Sequence, residues 1–203
     1  MTILATNISY TFNQIFDLKP LSDELANTFG YSFIRTKLNL LQTQQHLSRL
    51  DELRNRIEEI LPYVDLSNET SRREILISPV VSEVAHYTKA KLCIEYPITV
   101  SKQLQGNLDY LFQSHTNLLT ITAKYQDLDY GMTQLIAQFI ALDQWEHTPE
   151  QPTIIGAVTT GKLWEFTHLN RATKTIQQGL ESYRVPEDLE DLIRILVHAL
   201  STT

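Results

Sequence analysis

Residues 91–124 alternate apolar and polar positions in the period-two manner of β-strands. Short polar breaks divide this stretch into three segments, 91–100, 101–113 and 114–124. Successive side chains of a strand point to opposite faces, so Asp109 shares a face of the second segment with Leu111, while Tyr110 lies on the other face. The pattern predicts a meander of three strands.

An acid and a lysine lie near the ends of apolar segments in this meander. Asp109 belongs to the second strand, and Thr122 and Lys124 share one face of the third. Antiparallel pairing of the two strands would bring Asp109 and Lys124 close together. The same pattern has two simpler interpretations. Asp109 is a buried acid that pairs with Lys124 for stability, or Lys124 is a lysine at a strand end that only reaches solvent.

Helical spacing of apolar residues marks several other segments. Segment 48–61 has a leucine-rich face, and Ser48 with Asp51 resembles a capping box. Segment 71–88 begins with another capping box at Ser71, and the Ser78–Pro79 step predicts a kink or a two-part helix. Segment 131–144 carries one apolar face and an adjoining small polar face that includes Gln134.

The C-terminal part of the chain predicts two strands and two helices. Segments 153–160 and 162–168 read as a hairpin that turns at Thr160 and Gly161. Segment 171–183 is expected to be helical. A final amphipathic helix is expected to start with Pro186 at its first position, because proline tolerates that position and acids follow it.

The domain organisation follows from these elements. Residues 1–45 give weak signals and predict short irregular elements that pack on other parts of the chain. Residues 1–70 are therefore expected to form an N-terminal extension, and residues 71–203 an α/β core. The leucine face of segment 48–61 is expected to pack against that core or against a second copy in a homodimer, because an apolar stripe in water is an association site.

Composition narrows the class of protein. Hydrophobic residues make up 42% of the 203 positions and charged residues 20%, as in soluble globular proteins. The single cysteine, Cys93, cannot form an internal disulfide, which favours a reducing, cytoplasmic location. No basic leader with an apolar segment opens the chain and no apolar run is long enough to span a bilayer, so neither secretion nor membrane insertion is expected.

Charge and motifs exclude several functions. A net charge of −7 argues against a surface that binds nucleic acid everywhere, although lysines between residues 89 and 174 leave room for a local basic groove. The six histidines show no zinc-binding spacing. The chain also lacks the glycine-rich motifs that bind dinucleotides or nucleotide phosphates.

The order from residue 71 onward is helix, three strands, helix, strand, and over 71–168 it resembles the PD-(D/E)XK nuclease superfamily, whose core is an αβββαβ unit. Asp109 matches the aspartate of the motif, and the triplet that ends at Lys124 matches (D/E)xK. Gln134 resembles the glutamine that many members place beside the site, and Glu83 resembles an acid from the first helix. The run 158–164, VTTGKLW, is similar to the V-T-N-G-x-x-W hairpin of restriction-enzyme relatives.

The resemblance implies a restriction-endonuclease-like fold with a mixed sheet flanked by helices. It also implies hydrolysis of DNA phosphodiester bonds with Mg²⁺ or Mn²⁺, in which Asp109, Lys124 and Gln134 serve the reaction. Two carboxylates normally hold the ion, because a hard cation prefers oxygen ligands. The DNA would lie in the local basic groove.

Thr122 departs from this motif, because it stands where the triplet should begin with an acid. A neutral hydroxyl is a poor substitute for a carboxylate ligand. A second acid is therefore expected from elsewhere, with Glu83 and Glu95 favoured over Asp127 and Asp129. Two hypotheses follow: a nuclease with a rearranged site, and a catalytically silent relative that binds protein or nucleic acid as a scaffold.

Overall fold

A seven-stranded mixed β-sheet lies at the centre of the protein, with helices on both faces. The computed structural model describes residue 4 and residues 8–124 and 127–201. The helices are α1 (Phe12–Leu18), α2 (Ser22–Thr28), α3 (Leu50–Ile60), α4 (Glu69–Arg72), α5 (Ser78–Thr88), α6 (Leu128–Gln144) and α7 (Leu189–Leu200). The strands are β1 (Ser32–Thr36), β2 (Lys91–Ser101), β3 (Leu104–Gln113), β4 (Leu118–Ala123), β5 (Thr153–Thr159), β6 (Leu163–Asn170) and β7 (Thr175–Arg184).

The strand order across the sheet is β1-β7-β6-β5-β4-β3-β2. β2, β3 and β4 form the predicted antiparallel meander, and β5 and β6 form the predicted hairpin. β4 and β5 are parallel, and α6 makes the crossover that a parallel pair requires. The expectation of an α/β protein with a mixed sheet between helices is confirmed.

Each face of the sheet carries its own hydrophobic core. α3, α5 and α7 cover one face, where their apolar side chains surround Tyr110, Phe112 and Ile121. α1, α2 and α6 cover the other face, where Leu108 and Leu111 are buried. Leu108 and Tyr110 therefore lie in different cores, although strict alternation would put them on one face. The alternation breaks at Asp109, between them.

α6 is buried more completely than its pattern predicts. Every residue from 131 to 142 is buried, including both glutamines on its small polar face, Gln134 and Gln138. The helix begins at Leu128, one turn before the predicted start. Because it passes between the sheet and the α1–α2 layer, its polar face is enclosed by protein instead of facing water.

The helix predicted to begin at Ser71 begins earlier, so that prediction is wrong. Asn68 is the cap, and its side chain accepts a hydrogen bond from the Ser71 backbone N–H at 2.8 Å. α4 then continues into a π-helical turn, Arg73–Ile77, before α5 starts at Ser78. The segment is thus divided into parts, as predicted, and the π-helical turn lies just before the Ser78–Pro79 step.

Two predictions for the C-terminal part are wrong. Segment 171–183 is mostly strand β7 and not a helix, because it pairs with β6 on one side and with β1 on the other. Pro186 lies in a turn before the final helix, which begins at Leu189 and not at the proline. The Asp188 carboxylate accepts a hydrogen bond from the Arg184 backbone N–H at 2.8 Å and so closes that turn.

The N-terminal segment contributes to both layers and to the sheet. β1 pairs in parallel with β7, and α1 and α2 pack on α6, so this segment is more regular than predicted. The leucine face of α3 is buried in the hydrophobic core that α3 shares with α5 and α7. α3 begins at Leu50 and has no side-chain cap, so the Ser48 capping box is wrong.

The remaining N-terminal residues, 1–3 and 5–7, lie outside the described residues. Within the described part of the chain, no helix is long and apolar enough to cross a membrane.

Candidate functional site

β3 and β4 separate beyond the pair formed by Tyr110 and Ile121. On the far side of this point, β4 continues to pair only with β5, up to Ala123 and Thr159. The backbone N–H of Ala123 therefore has no backbone acceptor on β3. A gap opens in the sheet between the two strands, and Asp109 lies at it.

The Asp109 carboxylate fills this gap. Its Oδ2 accepts a hydrogen bond from the Ala123 backbone N–H at 2.8 Å, and the residue is only 9% exposed. Burial disfavours the charged carboxylate and raises the pKa of Asp109 to about 6, although the Lys124 ammonium and the Ala123 hydrogen bond oppose the shift. Asp109 is therefore a buried acid that titrates close to neutral pH.

Lys124 follows β4 directly and lies near Asp109. Its charge lowers the pKa of Asp109, and its backbone N–H donates to the Thr159 carbonyl at 2.8 Å. Its Nζ lies 4.8 Å from the centre of the Phe16 ring, within cation–π range. A Cβ at Gly131 would lie 3.0 Å from the Lys124 Cγ, so glycine lets α6 approach the lysine closely. The lysine is thus held between α1 and α6.

Glu95 lies on β2, which pairs with β3 on the side away from the gap. It falls between the paired positions Ile94–Tyr110 and Tyr96–Leu108, level with Asp109. Its backbone has a φ of 50°, an uncommon conformation for a residue other than glycine, asparagine or aspartate. The negative charge of Glu95 raises the pKa of Asp109. The strand is therefore irregular where it brings a second carboxylate toward Asp109.

Arg73 brings another positive charge to the site from the π-helical turn. Its Nη1 donates to the Glu95 Oε1 at 2.7 Å, and its Nε donates to the Tyr110 hydroxyl at 3.4 Å. The guanidinium lies over the Tyr110 ring, 5.2 Å from its centre. Arg73 also lowers the pKa of Asp109. The site therefore contains two carboxylates and two cations.

Next to Ala123 on β4, the side chain of Thr122 is hydrogen-bonded to α6. Its hydroxyl donates to the Gln138 Oε1 at 2.7 Å, and both residues are fully buried. The amide of Gln134 is also fully buried, and neither its oxygen nor its nitrogen has a partner among the described residues. The Gln138 Nε2 is unpartnered there too. Buried amides of this kind are normally satisfied by protein or water.

Glu83 belongs to a different part of the molecule. It is buried on α5, and its Oε1 pairs with Arg49 Nη2 at 2.7 Å. It is not among the principal groups that shift the pKa of Asp109. Asp127 precedes α6, and Asp129 is exposed and pairs with Arg35. Of the candidate acids, Glu95 is the one whose charge acts on Asp109, whereas Glu83 pairs with Arg49.

The carboxylates of the site are the groups that could hold the divalent cation implied by the resemblance. Within the described ranges, no cluster of three or more histidine, cysteine, aspartate or glutamate residues could hold a metal ion. Asp109 and Glu95 together offer two hard oxygen ligands. Asp109 is also a buried acid with a raised pKa, which a bound cation would keep ionised. Both carboxylates are already engaged, Asp109 by the Ala123 N–H and Glu95 by Arg73, so a hard cation held by this pair would have to displace Arg73 from Glu95.

Sequence reasoning missed two residues of the site, Arg73 and Gln138. The glutamine carried a signal, since it follows Gln134 by one helical turn on an otherwise apolar helix. The sequence gives no comparable signal for Arg73, because the direction of its side chain depends on the π-helical turn. No protein-family model matches this sequence, and no curated protein matches it significantly.

Proposed function

We propose that this chain is a PD-(D/E)XK-type nuclease with a rearranged site, which hydrolyses phosphodiester bonds of DNA with a divalent cation. The observation that supports it is that the buried Asp109 carboxylate, where β3 and β4 separate, interacts electrostatically with both Lys124 and Glu95. The order from α5 through β5 is helix, three strands, helix and strand, in agreement with an αβββαβ core.

In this proposal Asp109 and Glu95 hold the cation, and Glu95 supplies the acid that Thr122 does not. A bound Mg²⁺ would polarise the scissile phosphate and lower the pKa of the attacking water. Lys124, whose charge acts on Asp109, would hold the water or stabilise the developing negative charge at the phosphate. Gln134 lies behind the site as an additional polar group.

DNA is the proposed substrate because the site combines acids for a cation with cations for phosphate. Lys124 and Arg73 are at the site itself. Lys19 adds a cation beside the start of α6, since its Nζ is 4.6 Å from the ring centre of Tyr130. With a net charge of −7, binding would be confined to this region. It should weaken steeply with salt.

Calorimetric titration with Mn²⁺ tests the proposal directly. The wild-type protein should bind about one ion, Asp109→Asn and Glu95→Gln should lose binding, and Glu150→Gln should not change it, because Glu150 is an exposed loop residue. Supercoiled plasmid should be nicked by the wild type in Mn²⁺ and remain intact with either site variant. Absence of both Mn²⁺ binding and cleavage in the wild type would refute the nuclease proposal.

A catalytically silent scaffold is the second candidate. It is favoured by two contacts that satisfy the site without a cation: Thr122 with Gln138, and Arg73 with Glu95. A scaffold of this kind would bind DNA or a protein equally well in EDTA and in Mn²⁺, and would cleave nothing. DNA binding measured by fluorescence anisotropy under both conditions distinguishes it from the nuclease, whose affinity should rise with the cation.

A further inference from the structure

Arg73 contacts more groups of the site than any other cation described there. Its guanidinium binds Glu95 and the Tyr110 hydroxyl, and its face covers the Tyr110 ring. Its side chain is 20% exposed, whereas that of Glu95 is 46% exposed. The arginine is therefore the more enclosed and more tightly held partner of the pair, and the glutamate is the partner with room to move.

The π-helical turn explains why Arg73 reaches the site. Arg73 is its first residue, and α4 and α5 flank the turn. A π-helical turn widens the helix locally and changes the direction of the residues that precede and follow it, and such turns occur frequently at functional sites. The irregular backbone of Glu95 faces it from β2. Both halves of the ion pair thus depend on backbone irregularities.

We propose that Arg73 competes with the divalent cation for Glu95, so that the Arg73–Glu95 ion pair is an inhibitory contact that closes the metal site. This inference rests on the proposed function, because it assumes that Glu95 is a metal ligand. A guanidinium and a hard cation both require the carboxylate oxygens, and a carboxylate oxygen engaged by one is less available to the other.

The competition has a consequence for the substrate. When a cation takes Glu95, Arg73 keeps its contact with Tyr110 and its charge loses a partner. It then lies next to the metal site as a free donor for phosphate oxygens, which guanidinium groups bind well. The same residue would thus close the site in the free protein and bind the DNA backbone when the cation is present.

Mn²⁺ affinity of Arg73→Gln, measured by calorimetry, tests the competition without reference to activity. Removal of the competitor should raise the affinity roughly twofold to fivefold, as expected for an ion pair that is partly exposed. Arg54→Gln is the matched control: Arg54 also pairs with an acid, Asp51, but on the surface of α3. The control should bind Mn²⁺ as the wild type does.

Three further variants complete the experiment. Glu95→Gln should abolish Mn²⁺ binding both in the wild-type protein and in the Arg73→Gln variant. Arg73→Lys keeps the charge but cannot reach Glu95 and Tyr110 with one planar group, so its affinity should lie between those of wild type and Arg73→Gln. Because Arg73→Lys retains a cation, it can replace Arg73→Gln in the comparison with wild type if Arg73→Gln folds poorly. Circular dichroism establishes which variants are folded.

The outcomes separate the inference from the function on which it rests. Equal Mn²⁺ affinity in wild type and Arg73→Gln, with loss in Glu95→Gln, would overturn the competition and leave the nuclease proposal standing. Weaker binding in Arg73→Gln would also overturn it. No Mn²⁺ binding in any of these proteins would overturn both proposals. Tighter binding in Arg73→Gln that requires Glu95 would support both.

Discussion

The hydroxyl of Thr122 donates a hydrogen bond to the Oε1 of Gln138 across 2.7 Å, with both residues fully buried. This bond joins β4 to α6 at the position where a PD-(D/E)XK motif would carry an acid. An acid there would present acceptor oxygens to the same Oε1 and repel it. With the amide oriented as it is, the threonine hydroxyl and the Gln138 oxygen satisfy each other, whereas an acid at this position would require the amide to turn its Nε2 toward β4.

Loss of this bond should destabilise the protein. Thr122→Val removes the donor and leaves the Gln138 oxygen buried without a partner, which should lower the free energy of unfolding by about 1–3 kcal/mol. Urea denaturation measures the change. In a double-mutant cycle with Gln138→Leu, the double variant should lose less stability than the two single variants combined. Strictly additive losses would show that the two side chains do not interact.

Thr122→Glu should increase the affinity for Mn²⁺, because it adds a carboxylate near Asp109. The Gln138 amide can turn so that its unpartnered Nε2 donates to the new acid. The buried charge should make the metal-free variant less stable than wild type, and Mn²⁺ should restore stability by mass action. Calorimetry and thermal unfolding measure the two effects.

Thr122→Gln is the control for this experiment, because it has the same size without the charge and should gain no affinity. Asp109→Ala should abolish the gain in the Thr122→Glu background. An equal gain in the Thr122→Gln variant would mean that charge at this position is not responsible.

The raised pKa of Asp109 predicts how stability depends on pH. The carboxyl titrates at about 6 in the folded protein and at 3.8 ordinarily, so the folded state binds its proton more tightly. This residue therefore stabilises the fold at low pH, and its contribution is lost as pH rises from about 4 to about 6. Asp109→Asn should remove this dependence and raise the free energy of unfolding at pH 7 by about 1–3 kcal/mol.

Urea unfolding in EDTA at pH 4 and pH 7 is the measurement. The difference between Asp109→Asn and wild type should be small at pH 4 and large at pH 7. Asp129→Asn is the matched control, since Asp129 is an exposed aspartate. If Asp109→Asn were less stable than wild type at pH 7, the charged carboxylate would be a net stabilising group in the fold.

Glu83 should matter for stability and not for metal binding. Arg49→Gln leaves its buried carboxylate without the cation at 2.7 Å, and should lower the free energy of unfolding by about 1–3 kcal/mol, since Arg49 is partly exposed. Glu83→Gln should bind Mn²⁺ as tightly as wild type. A loss of affinity as large as that of Glu95→Gln would instead assign Glu83 to the metal site.

Strong periodic patterns determined most of the fold from sequence. The meander, the hairpin and α6 were predicted because apolar residues recur with a period of 2 in strands and 3.6 in helices, whatever the tertiary structure. β7 has a weaker pattern: Ile176 and Gln178 are buried, whereas Leu180 is largely exposed. Its strand conformation comes from pairing with β6 and β1, which are distant partners that a local pattern does not reveal.

The sequence also predicted that Asp109 and Lys124 lie near one another, because they belong to adjacent strands or follow them directly. It left open which acid accompanies them. Glu83 and Glu95 lie on different elements, and their distance from Asp109 depends on how a helix and an edge strand pack around the sheet. The π-helical turn that directs Arg73 to Glu95, and the enclosure of α6 that directs Gln138 to Thr122, are likewise products of packing. Local periodicity is fixed by backbone geometry, whereas these contacts join residues distant in the chain, so only the tertiary structure decided them.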